Sequence, residues 1–148
     1  MLTLDKCCRI IFGMKIPADT VPINLDESVD FLKNNLETDD LEFIKDENSN
    51  ATQCHFSLGM SLRNEWSLFE KDSHLVNWFK TTYGIEHAYD ISGMILDCLW
   101  QDIRGLPRRD KELAERYKKH WESIKHWKNG ETKLFEYDKN GDIKEIYE

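Results

Sequence analysis

His55, Gly59 and Arg63 recur at every fourth position, so on a helix they share one face. An imidazole and a guanidinium flanking a residue without a side chain leave a notch with cationic walls. Such a notch suits an anion or a partner's carboxylate, with Arg63 supplying the bidentate fork. Asn64 and His87 complete the set if the segment carrying His87 folds over the helix. The same residues also allow an architectural reading. Gly59 then lets two helices cross closely, while His55 and Arg63 brace neighbouring loops, because a mid-helix glycine is costly and commonly has a packing reason.

Other chemistry has little support in the spacing. His55, His74, His87, His120 and His126 are scattered, without H-x3-H or H-E-x-x-H. Asp138, Asn140 and Asp142 begin like a calcium loop. The glutamate of such a loop would fall beyond Glu148, and the triplet reads as a turn. Ser57 and Ser92 lack a G-x-S-x-G context, and Gly59, Gly84 and Gly93 are too isolated to cradle a phosphate. No catalytic residue, metal or cofactor is expected, and a binding role is favoured over an enzymatic one.

The elements that position these residues are helical. Leu25, Val29, Leu32 and Leu36 mark a helix that Asn24 or Asp26 caps. Thr38 caps the next, with acids in its first turn and Leu41 and Ile44 facing inward. Cys54, Leu58, Leu62, Trp66 and Phe69 form a ladder that predicts one helix from about Thr52 to Phe69. Leu75, Val76, Phe79 and Tyr83 give a shorter helix that Gly84 ends. Asp90 caps a central helix carrying Ile91, Met94, Ile95, Cys98 and Leu99, which Gly105 and Pro107 stop. A long basic helix spans about 109–128, with Leu113, Tyr117, Trp121 and Ile124 as its apolar stripe. Residues 2–12 form a short helix or a strand. After Gly130 the period changes to alternation around Asn140-Gly141, which predicts a β-hairpin over 130–148. The fold expected is a mainly α, single-domain bundle (1–148) of about five to six helices with that hairpin at its C-terminus. Within it, 21–105 forms the helical core and 106–129 the basic helix.

The stretch Cys54-His55-Phe56-Ser57-Leu58-Gly59-Met60-Ser61-Leu62-Arg63-Asn64-Glu65-Trp66-Ser67-Leu68-Phe69 resembles the core motif of an uncharacterised bacterial domain family, H-F-x-L-G-x-x-x-R-N-x-W-x-L. The family's second block, G-I-x-H-P-D-D-M-S, appears as Gly84-Ile85-Glu86-His87-Ala88-Tyr89-Asp90-Ile91-Ser92. Ala88-Tyr89 replaces Pro-Asp, so one carboxylate of the pattern is absent. The resemblance covers about 21–105 and implies a family of unknown function, which brings no catalytic residues with it. Separately, Gly130 to Ile143 is similar to one copy of the tyrosine–aspartate repeat of large bacterial toxin shells, a pattern that a hairpin alone also produces.

Charge is distributed unevenly. The 148 residues carry a net −8. Residues 26–47 hold nine acids and two lysines, a net of −7, and 104–128 hold nine Lys or Arg and four acids, a net of +5. These runs are either two solvated helix faces leaning on each other or, for the acidic one, a docking surface for a basic protein. Asp26, Glu27, Asp30, Glu37, Asp39, Asp40 and Glu42 would form that surface. The acidic balance opposes nucleic-acid binding as the main role, although the 104–128 helix offers a local basic stripe. No apolar run approaches the ~18 residues that span a membrane. The charged start Met1–Arg9 is unlike a secretory leader, which points to the cytoplasm and to reduced thiols at Cys7, Cys8, Cys54 and Cys98. The leading expectation is a small acidic cytosolic binding module, with an immunity or antitoxin protein as its concrete form. The alternative is a small enzyme or anion-binding domain built on His55, Arg63, Asn64 and His87.

Overall fold

The computed structural model describes residues 21–128 and the segments 134–137 and 143–146, with side chains as far as residue 125. The chain divides into two compact units, Met1–Asp110 and Lys111–Glu148. The described residues are mainly α, with six helices. The segment expected at 2–12, Cys7 and Cys8, the turns 129–133 and 138–142 of the expected hairpin, and the Asp138-Asn140-Asp142 triplet lie outside the described residues.

Helix α1 (Leu25–Asn35) starts at Asn24, whose side chain accepts from the Glu27 amide at 2.8 Å. Glu27 in turn accepts from the amide of Ile23, the residue before the cap, at 3.1 Å. Leu25, Val29 and Leu32 are buried. Helix α2 (Thr38–Lys45) is capped by Glu37 rather than by Thr38, because the Asp40 carboxylate accepts from the Glu37 amide at 3.0 Å. It buries Phe43 and Ile44, while Leu41 is only half-buried. Phe43 meets Trp100 edge to face, with 6.3 Å between ring centres.

The continuous helix expected over 52–69 is broken. A 3-10 turn (Ala51–Cys54) is followed by α3 (Leu58–Glu65). Between them Ser57 adopts φ −105, ψ −94, outside the helical basin, and its hydroxyl donates to the Cys54 carbonyl at 3.2 Å. Serine offers the backbone this alternative to the helical ladder. Cys54, Leu58, Leu62 and Trp66 still reach the core. Phe69 does not, because Trp66 ends the helix and Ser67 turns at φ 52. That turn buries Leu68 and leaves Phe69 59% exposed.

Helix α4 (His74–Tyr83) ends as expected at Gly84 in the left-handed region, φ 73. Helix α5 (Ala88–Ile103) starts three residues earlier than an Asp90 cap predicts, with His87 as N-cap. It buries Ile91, Ser92, Met94, Ile95, Leu96, Cys98, Leu99 and Trp100, and α1, α2, the 3-10 turn, α3 and α4 all pack against it. Gly105, at φ 69, closes it. Helix α6 (Asp110–Lys128) carries the short-range pairs Arg116–Glu112 and Lys118–Glu115.

Candidate functional site

Arg63 lies in the last turn of α3 and is 2% exposed. Its Nη1 donates to Ser92 Oγ on α5 at 2.9 Å, and its Nη2 donates to the His55 carbonyl at 3.0 Å. In a continuous helix that carbonyl would accept from the Gly59 amide, so the break before α3 releases it to the guanidinium. Ser92 Oγ in turn donates to the Tyr89 carbonyl at 3.1 Å. The Tyr89 ring lies over the guanidinium, 4.5 Å from ring centre to Cζ. Among the described residues no carboxylate pairs with Arg63. Burial therefore holds its pKa below the ordinary value, with Tyr89 acting in the opposite sense.

Gly59 is buried, and a Cβ there would stand 3.0 Å from Arg63 Nη1, 3.4 Å from the Cys54 carbonyl and 3.5 Å from Leu96 Cδ1. The notch expected beside Gly59 thus exists, and the Arg63 guanidinium fills it. His55 meets Arg63 through its carbonyl, while its imidazole packs on Phe56 and Tyr89. Burial, and then the Arg63 charge, hold the His55 imidazole below its usual pKa. Asn64 is exposed, although its neighbour Arg63 is buried. His87 is exposed at the start of α5 and lines a groove of about 560 Å³ with Leu68, Phe69, Val76 and Ala88. The structure brings Arg63, Gly59 and the His55 backbone together, and it leaves Asn64 and His87 facing solvent.

The acids expected to form a partner surface stay at the surface. Asp26, Glu27, Asp30, Glu37, Asp39 and Glu42 are exposed, and Asp40 is half-buried. Glu27 and Asp40 also serve the helix starts described above, and Asp26 accepts from Arg108 Nη1.

The arginines that follow α5 act as clamps, which the sequence reading missed by treating 104–128 as one basic face. Arg104 donates to the Ile44 carbonyl at 2.9 Å, the Asp46 carbonyl at 2.8 Å and the Ser49 carbonyl at 2.7 Å, stitching the end of α2 to the end of α5. Arg108 forks onto Asp102 with contacts of 2.9 and 2.7 Å. That pairing, against the effect of burial, holds the Asp102 carboxyl below the usual carboxylate range. Arg109 donates to Asp97 at 2.7 Å. The available signal was residue type: 104, 108 and 109 are all arginine, whereas lysine predominates from Lys111 onward, and the planar fork suits buried carbonyls and carboxylates. In the first unit, among the described residues, Asp26–Arg108 is the one ion pair that joins the acidic and basic runs.

Among the described residues no group of three His, Cys, Asp or Glu could hold a metal ion. Nor is any described helix long and apolar enough to cross a membrane. Neither a curated protein nor a solved structure matches the chain. A family model does match residues 21–103, nearly the extent over which a family resemblance was expected and the stretch that contains α1 to α5 and the Arg63 brace. The chain therefore belongs to the DUF6794 family, a domain of unknown function.

Proposed function

We propose that this protein is a small acidic binding module whose α1–α2 face docks a basic protein partner, with an immunity or antitoxin protein as the concrete form. One observation carries the reading. Arg104, Arg108 and Arg109, the arginines of the basic run that lie in the first unit, are engaged inside it, and Lys33 pairs with Asp102, whereas Asp30, Asp39 and Glu42 stand exposed and outside the ion pairs described. Residues 21–103 contain sixteen acidic and five basic side chains, a net of −11. A field of that sign steers and speeds the approach of a basic partner. The anion-pocket alternative is not favoured, because both terminal nitrogens of Arg63 already donate within the protein.

The same proposal places the protein in the bacterial cytoplasm. Support comes from Cys54 and Cys98, both buried free thiols; burial pushes the Cys98 thiol up to about 12, as suits an inert reduced cysteine. We further take the second unit as ending in a β-hairpin. Antiparallel pairing of Leu134–Tyr137 with Ile143–Ile146, Leu134 opposite Ile146, supports the hairpin.

The test is capture of partners from native-host lysate on the immobilised protein at low and high salt, repeated with a D30N/D39N/E42Q variant. One stoichiometric basic protein, released by salt and bound at least tenfold more weakly by the variant, is the expected result. Equal affinity and an equal salt dependence for the variant would end the acidic-face reading.

A further inference from the structure

Phe56, Phe69 and Tyr89 stand 77%, 59% and 50% exposed on the first unit. They are joined through His55: Phe56 packs on His55, His55 on Tyr89, and Tyr89 on Phe69, with 5.0, 5.6 and 5.9 Å between successive ring centres. Phe69 also lines the groove of about 560 Å³, together with the buried Leu68, Val76 and Ala88. One face therefore carries both a projecting ring and an apolar hollow large enough to take such a ring. Backbone geometry maintains the pair. Ser67 sits at φ 52, a conformation that residues with a side chain rarely adopt, and the turn there buries Leu68 while sending Phe69 out. At about 200 Å² for a whole aromatic side chain, the three exposed rings leave roughly 350 Å² in water, the size of a functional patch rather than of scattered single residues.

The groups on this face decide what can cover it. Its charged side chains along the groove are Glu70, Lys71, Lys80 and Glu86, two of each sign and all exposed, with Lys80 and Glu86 paired at 3.3 Å. The Arg63 cation beneath Tyr89 is engaged by Ser92 and the His55 carbonyl. A strongly basic or strongly acidic partner would be drawn by one pair of rim charges and repelled by the other. A second copy of the same surface can set each sign against its opposite, because a two-fold axis makes every contact reciprocal. Shape agrees with charge: each copy offers a ring to the other's hollow and a hollow to the other's ring. We propose that this face is a two-fold self-association surface, at which Phe56 of each copy enters the groove beside Phe69 of the other. The exposed aromatic area is under half of the about 800 Å² that each partner of a standard interface buries, so the dimer is weak, with a Kd on the order of 100 µM. The inference is independent of the acidic α1–α2 reading.

Sedimentation velocity of the full chain, from about 5 to about 500 µM so as to bracket that Kd, tests the proposal. The sedimentation coefficient should climb from the monomer value toward the dimer value across the range. Raising the salt from about 0.05 to about 0.5 M should tighten the dimer severalfold, by screening the repulsion between two copies of net −8. Salt would instead loosen a basic partner held on α1–α2, so the two readings fail separately. Phe56→Ser, with an unaltered Tm, should weaken the dimer about tenfold. Lys80→Glu and Glu86→Lys, both at exposed positions, should each self-associate about threefold more weakly, and an equimolar mixture of the two should recover the wild-type affinity. That recovery requires the two charges to face each other across copies. A chain that stays monomeric to the highest concentration would overturn the proposal. So would a dimer that Phe56→Ser leaves intact, or a mixture that associates no better than either variant alone.

Discussion

Replacing Arg63 with alanine separates a brace from an anion site. The guanidinium makes a buried hydrogen bond to Ser92 Oγ, a part-buried one to the His55 carbonyl, and a cation–π contact with Tyr89. Each acceptor left unpaired in the interior costs about 1–3 kcal/mol, and the ring contact adds about 0.5–2 kcal/mol. Part of this is offset, because the variant no longer buries a cation that lacks a carboxylate. The expected net loss is about 3 kcal/mol, or a fall in Tm of ~10 °C for a chain of this size. Denaturant unfolding followed by tryptophan fluorescence reads the loss, since Trp66 and Trp100 are buried. Arg63→Lys should recover less than half of it, because a compact ammonium cannot span both acceptors. Ser92→Ala in a double-mutant cycle should return a coupling of about 1 kcal/mol with Arg63. A variant within ~0.5 kcal/mol of the wild type would refute the brace. So would phosphate stabilising the wild type, but not Arg63→Ala, at constant ionic strength.

Two further outcomes follow from neighbouring geometry. The His55 imidazole is held below its ordinary pKa of 6.5 by burial and then by the Arg63 charge. The unfolded chain therefore takes up that proton first, and the His55 contribution to stability, complete above about pH 6.5, should fall as the pH drops below it; His55→Gln should flatten that slope, as read by Tm across pH 5–8. Arg104→Ala leaves the Ile44, Asp46 and Ser49 carbonyls without their guanidinium donor and should cost about 2–4 kcal/mol, with hydrogen exchange accelerated first over 43–50; unchanged exchange there would show that the clamp is dispensable.

Much of the fold was legible in the one-dimensional pattern, because helical period and chain punctuation are local properties. The apolar sides of α1, α4 and α5 and the Gly84 stop follow from spacing and from the conformational freedom of glycine. A resemblance to a domain family of unknown function was legible over about 21–105, nearly the residues that the family model matches, 21–103. Cap positions were less so. Glu37 displaces Thr38 because the choice depends on which side chain reaches the free amide.

The meaning of His55, Gly59 and Arg63 was decided only in three dimensions. Their four-residue spacing presupposes an unbroken helix, but Ser57 breaks it and frees a carbonyl. Arg63 then turns inward to that carbonyl and to Ser92, which lies 29 residues away along the chain. Likewise, the basic character of 104–109 is plain in the sequence. That these arginines stitch α2 and α5 together and hold Asp26, Asp97 and Asp102 depends on contacts between distant segments. Local period determines which residues are helical and which side is apolar. The pairing of a buried cation depends on which distant acceptors packing brings within reach, and no spacing rule encodes that.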